Sequence, residues 1–306
     1  MMDAETTKAL GEPRAFACCD PSGIRTRVTA VRGQRTRPLY DGAVWRNVSV
    51  PRQLFKYATT ILTSPNRAGR SSDPGRGAPA EGFATAPLKE LTHLMRVTKF
   101  EHAALRIQQG DDVLLLDPGS FTSPLNDLSG LVAVVITHEH PDHWTPEHLD
   151  RILRAAPGTP IYAPAGVARA ADGYDISVVA PGETVEVGAF TLRFFGGTHE
   201  VIHSSLPVVE NVGVLINDVF YYPGDSYAIP EGVEVGTLAA PLGAPWLKIG
   251  EAMDYVLAVK PRRAFGTHDM TLSVAGKTMH RQRLQWATEQ GGGEFSILEP
   301  GDSLDI

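Results

Sequence analysis

Three imidazoles and two carboxylates fall within six consecutive residues, His138 to His143, in the string VVITHEHPDHW. They follow directly on the apolar run Leu131 to Ile136. Ionisable groups crowded against a buried strand cost desolvation unless a partner offsets it. Imidazole nitrogen and carboxylate oxygen together suit zinc and similar first-row divalent metals, so a cation is a partner of the right chemistry. A loop leaving a rigid strand can aim alternate side chains at one point. His138 and His140 can then share one ion while Asp142 and His143 serve a neighbour. A lone His-x-His would also fit a solvated surface loop. Four donors in this pattern behind a buried strand argue against that reading.

The elements that must position this string are visible in the hydropathy pattern. RVTKFEHAALRIQ and VLLLDPG read as strands around a turn at Gly110, Asp111 and Asp112. Val132 to Ile136 is a continuous apolar strand. TPEHLDRILRAA reads as a helix with Thr145 as its cap, Pro146 in its first turn, and Leu149, Ile152 and Leu153 on one face. Beyond it PIYAP, the meander ISVVAPGETVEVGAFTLRFFGG, VGVLIN and VFYYPGD read as strands. KIGEAMDYVLAV and MHRQRLQWATEQ read as helices, with the strand and loop RRAFGTHD between them. Strands interspersed with helices predict sheets packed on each other with helices outside.

Residues 1–94 read differently. They hold 14 Lys and Arg against 8 Asp and Glu, a balance of +6, whereas residues 95–306 hold 14 against 27, a balance of −13. The stretch SPNRAGRSSDPGRGAPAEG is rich in Pro, Gly, Ser and Arg and is expected to be disordered. SGIRTRVTAVRGQRTRPLYDG resembles the translation of a transfer-RNA gene read on its complementary strand. The expectation is a disordered or spurious N-terminal extension over 1–94, a native start at Met95, and a working domain over 95–306. The acidic balance of that domain opposes nucleic-acid binding. The sequence has no run of about 18 apolar residues that would predict a membrane span, and its N-terminus does not read as a secretory signal. Its only cysteines, Cys18 and Cys19, are adjacent, so no disulfide framework is implied. A cytoplasmic protein with a small-molecule substrate, no nucleic acid and no membrane partner is expected, with a homo-oligomer left open.

Later in the chain come His199 in FFGGTHE, Asp225 in YYPGDS and His268 in AFGTHD, each after a strand-like run. With the HxHxDH string of His138, His140, Asp142 and His143, and in this order, residues 95–306 resemble the metallo-β-lactamase superfamily. The resemblance implies an α+β fold, a four-layer αββα sandwich of two mixed sheets with helices outside. It implies two divalent metal ions, zinc first, with Mn2+, Fe2+ or Ni2+ as substitutes. His138, His140 and His199 would hold the first ion; Asp142, His143 and His268 would hold the second; Asp225 would bridge them. Asp117 in VLLLDPG matches an aspartate that ties down the histidine loop.

The implied activity is hydrolysis of a small-molecule ester, lactone or phosphoester by a hydroxide held between the metals. Asp142 would be both a ligand and the group that orients or deprotonates the water. GDSYAIP and APWLKIGEAMDYVLAVKPRRAFGTHD resemble the branch that includes the ascorbate-6-phosphate lactonase. A nuclease of the same superfamily is the first rival, opposed by the acidic balance and the lack of an insertion resembling a substrate-gripping arm. A metal-binding or interaction protein without catalysis is the second, opposed by the intact ligand set.

Other residues carry weaker signals. His203 is a candidate donor to the substrate oxyanion, or else a loop histidine. His102 reads as a core histidine rather than part of the site floor, and His148 as a surface residue. His93 and His280 have no evident partner. Trp246 fits a pocket wall or the core equally. Glu210 and Asn211 fit either the support of a ligating histidine or turn chemistry.

Overall fold

The computed structural model describes residues 94–306. The expected extension lies outside the described residues except for its last position. Strands β1 (Met95–Lys99), β2 (Leu105–Gln109), β3 (Asp112–Leu116), β4 (Leu131–Val135), β5 (Ile161–Ala163), β6 (Ile176–Val178) and β14 (Ser303–Asp305) form one sheet, in the order β14-β1-β2-β3-β4-β5-β6. Strands β7 (Thr184–Val187), β8 (Phe190–Thr198), β9 (Glu210–Ile216), β10 (Phe220–Tyr222), β11 (Thr237–Pro241), β12 (Arg263–Thr267) and β13 (Glu294–Ser296) form the second, in the order β13-β12-β11-β10-β9-β8-β7. Each sheet is antiparallel in one half and parallel in the other. The parallel halves are β3 to β6 and β10 to β13.

Alternate residues of the central strands face different cores, which produces the four layers. Leu114, Leu116, Ala133 and Val135 pack with Phe194, Val214, Phe220 and Tyr222 between the sheets. Their neighbours Leu115, Val134 and Ile136 face outward, against Leu149 and Ile152 of α1 (Pro146–Ala155) and Val167 of α2 (Ala165–Ala170). On the other side Leu215, Tyr221, Leu238 and Ala264 meet Ala252, Tyr255 and Val256 of α3 (Ile249–Val259) and Leu284 and Ala287 of α4 (Val274–Gln290). Strands buried on both faces need apolar residues at every position, which is why VLLL and LVAVV are unbroken runs. The αββα sandwich expected from the sequence is the observed architecture.

Helix boundaries follow their caps. Thr145 accepts a hydrogen bond from the His148 N–H and starts α1, as the sequence predicts. Helix α4 begins five residues before MHRQRL, because Ser273 accepts from the Gly276 N–H and opens the helix there. The short α2 and the strand β11, of sequence TLAAP, were not expected. Small residues carry little periodic signal, and neighbours on both sides supply the pairing for β11.

Candidate metal centre

Each candidate ligand lies on the segment that follows a strand. His138, His140, Asp142 and His143 follow β4, His199 follows β8, Asp225 follows β10 and His268 follows β12. Rigid strands thereby deliver side chains to one place from both sheets. His138, His140 and His199 converge, with one donor atom from each within 4.8 Å of the others. His138 Nε2 lies 3.1 Å from His140 Nδ1. Asp142, His143, His268 and His102 form a second such group, and His138, His143 and Asp225 a third. Asp225 joins the sets: its Oδ1 is 3.3 Å from His143 Nε2, and its Oδ2 is 3.3 Å from His199 Nε2 and 3.2 Å from His268 Nε2.

The ring nitrogens are prepared for a cation. His143 donates Nδ1–H to Asp117 Oδ2 at 2.7 Å, and His268 donates Nδ1–H to the Gly243 carbonyl at 2.7 Å. His199 donates Nδ1–H to the Glu200 carbonyl. A neutral imidazole with its proton on Nδ1 carries a lone pair on Nε2, the arrangement a metal ligand needs. The Nε2 atoms of His143, His199 and His268, with Asp225 Oδ1, are buried and have no hydrogen-bond partner. Left unsatisfied, each such atom costs about 1–3 kcal/mol. Four of them turned toward one another fit divalent cations held between them.

The electrostatics add a competing proton at two of these rings, His143 and His268. Burial by itself would raise the Asp142 and Asp225 carboxyls, but the surrounding histidines hold both well below the usual carboxylate range. Burial depresses His138 and His140. It would do the same to His143 and His268. There Asp225, with Asp117 beside His143 and Asp142 beside His268, overrides it, raising His143 and lifting His268 to about 9. The site is an anionic well that attracts positive charge.

The family model of the β-lactamase superfamily domain matches residues 96–268, a span that contains every candidate ligand. The chain belongs to the β-lactamase superfamily. Protein Rv0786c of Mycobacterium tuberculosis is 36% identical over 209 residues, which cover 67% of this chain and 96% of that one. Igni18, described as a novel metallo hydrolase from Ignicoccus hospitalis, aligns with a TM-score of 0.55 at 18% identity, covering 70% of this chain and 98% of its own. YhfI from Bacillus subtilis, described as a metallo-β-lactamase fold protein, aligns with a TM-score of 0.52 at 19% identity, covering 70% and 100%. These structures share the metallo-β-lactamase fold with the chain.

In this β-lactamase superfamily member Asp117 is the hub behind the histidine loop. Its Oδ1 accepts from the Thr137 N–H, and its Oδ2 accepts from Thr137 Oγ1, His143 Nδ1 and the Tyr222 hydroxyl. Asn211, fully buried in β9, donates to the Pro223 carbonyl and accepts from the Asp225 N–H at 3.0 Å. It clamps the turn that presents Asp225, so its role is support of a candidate ligand and not turn chemistry. Glu210 instead holds α2, through the Gly166 N–H and Arg169.

Three discounted residues prove to be placed by function or packing. The Trp246 indole N–H donates to Asp225 Oδ2 at 2.8 Å, which makes it a partner of a candidate ligand as well as a wall. His102 is fully buried and reaches Asp142 Oδ2 at 3.1 Å. The sequence offered no periodic or motif signal for it. His148 is buried against the Thr122 carbonyl and is not a surface residue. His280 finds the Leu242 carbonyl at 2.7 Å, and His93 lies outside the described residues. His203 is exposed, bonds Ser205 in its own loop, and belongs to none of the convergent groups. Its contacts are those of a loop histidine.

Proposed function

We propose that this member of the β-lactamase superfamily is a metal-dependent hydrolase of a small-molecule ester, lactone or phosphoester, working with about two divalent ions. The observation that carries the reading is the set of buried, partnerless donor atoms at which His143, His199, His268 and Asp225 converge. His138, His140 and His199 would hold one ion, and Asp142, His143 and His268 the other, with Asp225 between them. Nitrogen and oxygen donors without thiolate suit zinc and also admit manganese, iron or nickel. When bound, such ions supply hydroxide at neutral pH and polarise the oxygen of the scissile group.

The chain's own residues do the rest. Asp142 is the candidate ligand nearest to solvent among the carboxylates, with its side chain 25% exposed against 4% for Asp225. His102 occupies Asp142 Oδ2, which leaves Oδ1 to accept a hydrogen bond from a nucleophilic water. A carboxyl held well below its ordinary range is ionised at neutral pH, so Asp142 can accept a hydrogen bond from that water and orient or deprotonate it. Trp246 and Asn211 hold Asp225 in place from its side chain and its backbone.

The −13 balance over residues 95–306 favours a small-molecule substrate over RNA or DNA. None of the helices of the described residues is long and apolar enough to cross a membrane. A cytoplasmic location is part of the same reading.

The test is elemental analysis of the metal-replete full chain, followed by a panel of esters, lactones, thioesters and phosphodiesters. About two ions per chain are expected, with turnover lost on chelation and restored by added zinc. Full metal loading with no metal-dependent hydrolysis anywhere in the panel would sink the proposal.

A further inference from the structure

The segments that follow the site-bearing strands, with the β1–β2 connection that carries His102, have an unusual composition. Residues 100–104, 117–130, 136–145, 199–209, 223–236, 242–248 and 268–273 contain ten Asp or Glu and a single Lys. That lysine, Lys248, is the N-cap residue of α3 and lies 3.6 Å from Glu251. Several cations near these segments are engaged. Arg169, which with Glu139 lies against Gly166, pairs with Glu210 at 3.2 Å. Lys99 is fully buried against Asp269, and Lys277 and Arg281 also face Asp269. Within these segments Lys248 is the one Lys or Arg. Recognition of a phosphorylated or otherwise anionic substrate body relies on such groups.

The same segments expose apolar side chains instead. Phe121, Val201, Leu206, Val208 and Met270 are 40–58% exposed. They are tied to the site by chain and contact. The Phe121 ring meets the His102 ring edge-on at 4.8 Å. The Met270 N–H donates to His102 Nδ1, two residues after His268. Val201 stands two residues after His199 and next to Glu200, whose N–H donates to the Asp225 carbonyl. Apolar groups at a ligand-bearing rim that is otherwise acidic are suited to a neutral, apolar partner.

Resting on the hydrolase reading, we propose that the substrate is a neutral carboxylic ester, lactone or thioester whose body is apolar and lies against Phe121, Val201 and Met270, and that phosphoesters are not the preferred class. Fully burying a methylene contributes about 0.8 kcal/mol, roughly fourfold in affinity, and a half-exposed rim gives about twofold.

The experiment uses the zinc-loaded full chain with p-nitrophenyl acetate, butyrate and hexanoate as the neutral series and bis(p-nitrophenyl) phosphate as the anion. Expected is a kcat/KM that rises about twofold per methylene and exceeds that of the phosphodiester. V201E and M270E should lower the hexanoate-to-acetate ratio about fivefold or more, with bound metal unchanged. Nile red, a neutral apolar dye, supplies a readout without turnover: its fluorescence should rise on binding and weaken in V201E and M270E. Hydrolysis that is flat with acyl length, or that favours the phosphodiester, would overturn the substrate class while leaving the hydrolase reading intact. No turnover with variant-sensitive dye binding would overturn the hydrolase reading and leave the apolar rim. Dye binding indifferent to both variants would overturn the rim.

Discussion

His102 Nε2 lies 3.1 Å from Asp142 Oδ2, and its Nδ1 accepts the Met270 N–H at 3.3 Å. An Nδ1 that accepts must leave the neutral ring's proton on Nε2, so His102 donates to Asp142 and is a positioning residue rather than a metal ligand. Burial depresses this imidazole to about 4, despite Asp142, and keeps it neutral. The backbone repeats the link, since the His268 N–H donates to the His102 carbonyl at 2.8 Å. His102 and His268 both have positive φ, 59° and 57°, a conformation uncommon outside glycine, though histidine adopts it more readily than most, and one that concentrates at functional sites.

His102→Phe should therefore lower kcat more than KM, by about 10- to 100-fold, as expected when a ligand loses its outer partner. The ion held by Asp142, His143 and His268 should bind more weakly. His102→Gln, which can still donate, should recover part of both. Metal titration and steady-state kinetics on the two variants check this. Equal metal affinity and equal kcat in the phenylalanine variant would leave His102 a packing residue.

Asp142→Ala should abolish turnover while the protein still folds and holds an ion at His138, His140 and His199. His199→Ala should lose metal, activity and, when metal is limiting, thermal stability together, because metal that binds the native state stabilises it by mass action. Bound metal, melting temperature and turnover distinguish the two. Full turnover by Asp142→Ala with both ions retained would contradict its assigned role.

Gly119→Ala tests the turn behind the histidine loop. A Cβ there would lie 1.9 Å from the Asp142 carbonyl oxygen and 2.4 Å from the His143 nitrogen. Backbone must shift to admit it, at a cost of about 1–3 kcal/mol. The shift displaces two candidate ligands, so a lower denaturation midpoint should accompany weaker metal binding. An unchanged midpoint would mean the two loops are not in contact.

Asp269 is fully buried and faces Lys99 at 3.3 Å, with Lys277 and Arg281 each at 3.4 Å. Asp269→Ala leaves Lys99 uncompensated and should cost about 3–5 kcal/mol. Lys99→Met, which removes the buried charge at similar volume and leaves Asp269 two cations, should cost far less. Chemical denaturation measures both, and equal losses would refute the asymmetry.

The His268 pKa sets two pH dependences of opposite sign. Its folded value, about 9, lies above the ordinary 6.5 because Asp225 and Asp142 outweigh burial. In chelator-treated protein the resulting stability, up to about 3 kcal/mol, is present below pH 6.5 and lost as pH rises through 9. Metal competes with that proton, so metal affinity should rise over the same interval. Melting curves with chelator and with excess zinc should diverge as pH increases. Parallel curves would show that His268 does not exchange a proton for metal.

The sequence by itself determined the strand pattern, the cap and face of α1, and the candidate donors His138, His140, Asp142 and His143. Those signals are local: a hydropathy period, a capping residue, and ligand types crowded into one loop. Resemblance extended the set to His199, Asp225 and His268. The structure then brought these distant segments together, because each follows a strand and strand order decides which segments are neighbours. Only that tertiary arrangement decided the roles of His102, Asn211 and Trp246. Each contacts Asp142 or Asp225 across a long stretch of chain, through a hydrogen bond that no spacing announces. It leaves His203 exposed and bonded to Ser205 in its own loop.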